Sequence, residues 1–106
     1  MPNYESLPPQ RAVISESTAA TNELVAAVTG KKIVVLNYAI VATAAVGVNF
    51  ESATTDISGV MQLGANGGIA HTDNEFGLFE TAAGAALAMT SDAAVQVSGY
   101  LTYVVV

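Results

Sequence analysis

The stretch at 31–48, KKIVVLNYAIVATAAVGV, constrains the fold more than any other part of the chain. Two lysines lead into a run that is almost wholly apolar, and that run must leave water somehow. A bilayer-spanning helix needs about 20 apolar residues. The run from Ile33 to Val48 is shorter, contains Asn37 and Thr43, and is followed by Asn49. A membrane span is therefore not expected. Valine and isoleucine are stiff at χ1 and favour a pleated surface over a helix. Splitting the run at Ala44 and Ala45 gives two strands joined by a short Thr-Ala-Ala turn. In the second, Val46, Val48 and Phe50 alternate with Gly47, Asn49 and Glu51, the period of a half-buried strand. In the first, Val34, Leu36, Tyr38 and Ile40 share one phase and Ile33, Val35, Asn37, Ala39 and Val41 the other. That is the pattern of a strand covered on both faces.

The same rhythm recurs along the chain. Strands are expected at 11–17 and 22–28, and at 58–63 ahead of GANGG, which reads as a hairpin turn needing positive φ. Short strands follow at 69–71 and 76–81, then a turn at 82–85 and a strand at 86–90. At the C-terminus Val95, Val97, Leu101, Tyr103 and Val105 alternate with Gln96, Ser98, Tyr100 and Thr102, and Gly99 marks a bulge or a close approach. Eight or nine short strands with closely spaced turns predict an all-β sandwich or barrel. No internal repeat or heptad interrupts this pattern.

The 106 residues suffice for one domain. Residues 1–10 hold all three prolines and little that could pack, so they form an extended N-terminal arm ahead of a domain at 11–106. That N-terminus has no apolar stretch and is not expected to be a signal peptide.

Composition excludes several functions. The net charge is −6, and Arg11, Lys31 and Lys32 are the only basic residues. They cannot supply the cationic face that nucleic acid or an anionic membrane requires. There is no cysteine for a disulfide or a thiolate site. His71, Asp73 and Glu75 could bind a metal, but they share one short polar loop, and a solvated turn accounts for them better. No serine has a nucleophile elbow around it, and any triad would have to use His71. GANGG lacks the lysine and helix of a phosphate cradle. The acids Glu16, Glu23, Glu51, Asp56, Glu80 and Asp92 are scattered and read as solvated positions. Phe50, Phe79 and Tyr103 fall on core phases, and Tyr100 falls on the polar face of the last strand. No enzyme activity, cofactor or metal is expected.

Three phrases, TGKKIVVLNYAIVATAAVGVNFES, TDISGVMQLGANGGIAH and FGLFETAAGAALAMTSDAAVQVSGYLTYVVV, resemble small jelly-roll virion proteins of tailed bacteriophages. The most specific parts are Ser58-Gly59 with Leu63 and Asn66-Gly67-Gly68, then 79–84, and the closing 99–103 strand. The resemblance begins near residue 11 and leaves the arm out. It implies a single-domain jelly-roll β-sandwich of about eight strands, a homotrimer, and a place on the outer surface of the head. There it would act as a capsid decoration or cement protein whose partner is the major capsid protein. Tyr4, Leu7, Pro8 and Pro9 are the candidate arm contacts to capsid or neighbour. Val104 and Val106, in an end that is apolar on both faces and would be wet in a lone chain, are the candidates for subunit packing. The alternative is a receptor- or glycan-binding tip domain of a fibre or appendage, using loops such as 64–75.

Overall fold

A computed structural model describes residues 7–72 and 77–106. Among these residues the fold is all-β, with ten strands in two antiparallel sheets packed as a β-sandwich. In chain order the strands are β1 (Gln10–Glu16), β2 (Thr21–Val25), β3 (Ile33–Ala42), β4 (Val46–Ser52), β5 (Thr55–Asp56), β6 (Met61–Leu63), β7 (Gly68–His71), β8 (Phe79–Glu80), β9 (Leu87–Ser91) and β10 (Val97–Val105). One sheet runs β1-β10-β3-β7, with β8 sharing the β7 edge of β3. The other runs β2-β9-β4-β5, with β6 on the β5 edge of β4. Each sheet is thus four positions wide, its last position built from two short strands.

The opening run forms β3 and β4, as its composition demands. The turn between them is a corner, because the two strands belong to different sheets. GANGG also crosses between the sheets, from β6 to β7, and is not the hairpin turn expected. Its positive φ falls on Asn66 (59°), one of the few side chains that tolerate it. Strand β2 ends at Val25, short of the expected 28, because Ala26, Ala27 and Val28 are exposed and no longer pair.

Strict alternation fails inside β3. Tyr103 pairs with Val35 but Thr102 pairs with Asn37, so Leu36 is an extra, bulged residue. The bulge reverses the side-chain phase. Ile33 and Val35 therefore join Tyr38, Ile40 and Ala42 in the sandwich interior, where they meet Val46, Val48 and Phe50 from β4 and Leu87 and Met89 from β9. Val34 and Leu36 are turned to the outer side with Val104, in a separate apolar cluster.

The interior holds an aromatic group. The Tyr38 ring lies 5.1 Å from Phe50 and 6.2 Å from Phe79, and Phe50 and Phe79 are 5.0 Å apart. The Tyr38 hydroxyl donates to Met61 Sδ at 3.7 Å. Burial raises the pKa of this phenol, because the phenolate would lose solvation. The folded chain therefore holds the proton more tightly than the unfolded one. The stability this contributes is full below the unfolded pKa of about 10 and is lost as pH rises through the raised folded value. Tyr38→Phe should blunt the alkaline fall in the urea midpoint relative to near pH 8. An equal fall in both proteins would remove Tyr38 as its source.

Candidate interaction surface

Because β3, β10 and β1 send alternate residues into the core, the others form the outer face of the first sheet. Cross-strand register places Val13, Tyr100, Ala39 and Ala70 in one row across β1, β10, β3 and β7. The next row holds Ser15, Ser98, Val41 and Gly68, and the row on the other side holds Arg11, Thr102 and Asn37. Val13 is 75% exposed, Val41 52% and Tyr100 43%. None of these rows contains a carboxylate. The Arg11 guanidinium sits 5.1 Å above the Tyr100 ring, a cation–π contact that orients it on this face. Glu80 lies at one end, beside Val34 in register, and is paired with Lys32 at 3.1 Å.

At that same end, Val34, Leu36 and Val104 are buried although they point away from the sandwich interior. Leu7 and Val106 pack against them. This changes the roles expected for both termini. Leu7 is half-buried against its own domain, while Pro8 and Pro9 are exposed. Tyr4 lies outside the described residues. Val104 is 0% exposed within the single chain, so the expectation that it would be wet there does not hold, and it has no free surface for a subunit contact. Val106 is half-buried, tied by reciprocal backbone hydrogen bonds with Lys32 at 2.8 and 2.9 Å.

The outer face of the second sheet has the opposite character. One row reads Glu23, Ala88, Glu51 and Asp56, and a neighbouring row reads Thr21, Thr90 and Asn49. Asp92 lies alongside, accepting from the Gly47 amide at 2.8 Å. Glu51, expected to be solvated, is only 8% exposed. Its carboxylate accepts from Thr90 Oγ1 at 2.8 Å and from Asn49 Nδ2 at 3.3 Å, and that same amide also donates to Asp56 at 2.9 Å. Burial is tolerable here because each polar group has a partner. The two faces of one sandwich are thus unlike: one carries apolar side chains and a lone arginine across its middle, the other a bonded set of acids and hydroxyls.

The chemistry-bearing residues do not converge. His71 lies opposite Tyr38 in register, with its ring 6.2 Å away and Nδ1 3.3 Å from the Thr72 carbonyl oxygen. Asp73 and Glu75 fall outside the described residues. Among the described residues no group of three His, Cys, Asp or Glu side chains is placed to hold a metal ion, and no helix is long and apolar enough to cross a membrane. Phe50, Phe79 and Tyr103 pack in or against the core, and the Tyr103 hydroxyl donates to Gln10 Oε1 at 3.2 Å.

Pattern reading finds the apolar outer face in β3, expected to be covered on both faces, but misses it in β1. Val13 follows Ala12 and precedes Ile14, and Val41 lies between Ile40 and Ala42, so both phases of those strands are apolar. Comparison with known proteins adds no relative: no protein-family profile, no curated protein and no solved structure matches the chain.

Proposed function

We propose that the chain is a single-domain jelly roll acting as a non-enzymatic capsid decoration, or cement, protein. In this reading it assembles as a homotrimer and binds the outer surface of a tailed-phage head through the major capsid protein. The jelly-roll reading is supported by the strand order. β1 neighbours β10 in one sheet while β2 neighbours β9 in the other, and β3 and β4 come next in their respective sheets. The ribbon therefore winds inward from both chain ends, as two Greek keys do. The observation that carries the functional reading is the contrast between the faces. A domain whose task is adhesion needs one face that loses water readily and another that stays hydrated. A sugar-binding reading gains less, because Arg11 already sits over the ring of Tyr100, where a sugar would stack.

The test has two arms. Light scattering of the purified protein should give a trimer. Incubation with undecorated heads should give saturable binding, weakened when residues 1–6 are removed while Leu7 is kept as the anchor. A strict monomer that ignores heads would sink the proposal. A glycan-array signal dependent on residues 64–72 would replace it with the receptor-binding reading.

A further inference from the structure

We infer that the Val13–Tyr100–Ala39–Ala70 row, with Arg11 and Val41 beside it, docks on an apolar protein surface presenting a carboxylate to Arg11. Resting on the reading above, that surface belongs to the capsid shell.

Three observations select this occupant. First, the row crosses all four strand positions, and with Val41 in the next row it leaves Val13, Val41 and Tyr100 substantially in water. Second, in a chain of net charge −6 the rows across the middle of this face hold no acid and one arginine. Stacking on Tyr100 holds the guanidinium in place, and its planar fork pairs best with a carboxylate. Third, Leu7 packs on the buried Val34, Leu36 and Val104 cluster at the end of the same face, so the apolar character of the face continues there.

Other occupants fit worse. A lipid surface or nucleic acid needs several cations, and the middle of this face has one. A second copy laid face to face would bring Arg11 against a surface with no acid in its central rows. A second copy stacked through its acidic face would bury carboxylates already committed to Thr90 and Asn49.

The experiment compares the whole chain with Val13→Glu, Val41→Glu and Arg11→Glu in head binding, with light scattering on each. Glu23→Lys on the opposite face is the control. Val13 and Val41 are exposed, so these variants should fold and keep the wild-type oligomer. Val13→Glu and Val41→Glu should each weaken binding at least about tenfold, the size expected near the centre of an interface. Arg11→Glu should weaken it and, by setting two carboxylates against each other, reverse its dependence on salt. Glu23→Lys should bind as wild type. If the face variants bind as wild type does, the docking face is wrong while the decoration reading stands. If wild type itself fails to bind, the decoration reading fails. Loss of the oligomer in Val13→Glu would place the row between copies and overturn the inference.

Discussion

Gly99→Ala is expected to destabilise the domain by about 2–4 kcal/mol, read as a lowered denaturant midpoint with an unchanged slope. Gly99 lies in β10 opposite Ile40, between β1 and β3. A Cβ there would overlap the Ala39 carbonyl oxygen and come within 2.8 Å of the Ala39 carbonyl carbon and 3.0 Å of Ile40 Cα. These are backbone atoms of the central strand, so no side-chain rotation relieves the clash. Relief requires β10 to move away from β3, and β1 holds it from the other side. A midpoint equivalent to less than about 0.5 kcal/mol of loss would show that the strands separate easily and that the close approach is incidental.

Phe50→Ala should cost about 3–5 kcal/mol, a large share of the stability of a small domain. Phe50 is 0% exposed and touches the rings of Tyr38 and Phe79, so truncation leaves a cavity between the sheets. The backbone stays tied, because the Phe50 amide donates to Ser58 Oγ at 2.9 Å and its carbonyl accepts from Ile57 N at 3.0 Å. The loss is therefore one of packing and should appear as a lower calorimetric midpoint with a retained β-sheet spectrum. Phe50→Leu, which refills part of the volume, should recover part of the loss. Equal midpoints for the alanine and leucine variants would argue against a cavity as the cause.

Much of this architecture is legible in alternation alone. In β4 the pattern places Val46, Val48 and Phe50 in the interior, although Gly47, Asn49 and Glu51 on the other phase, expected to be open, are buried too, and in β10 the phase of Val97, Leu101 and Tyr103 is right to the residue. Alternation survives where a strand runs without interruption, because successive side chains must point to opposite faces. It fails in β3 because nothing in IVVLNYAI announces that Leu36 is bulged, and one extra residue flips everything before it. The same flip sets Val34 and Leu36 beside Val104, which alternation alone leaves free for a neighbour. Its cover comes from Val34, Leu36 and Leu7, the last far away in the chain. Glu51 misled for a related reason. An acid on the alternate phase looks solvated until Thr90 and Asn49 are seen to bond it.

Sequence by itself determined that the chain is β, where most strands run and, in the strands without a bulge, which side chains line the interior, since valine-rich alternation has few other ways to leave water. Tertiary structure alone decided which strands share a sheet, and hence that Val13, Tyr100, Ala39 and Ala70 stand in one row while Glu23, Glu51 and Asp56 share a row on the opposite side. Those rows join residues far apart in the chain. Their composition depends on strand order and on a single bulge, and neither is encoded in any local stretch.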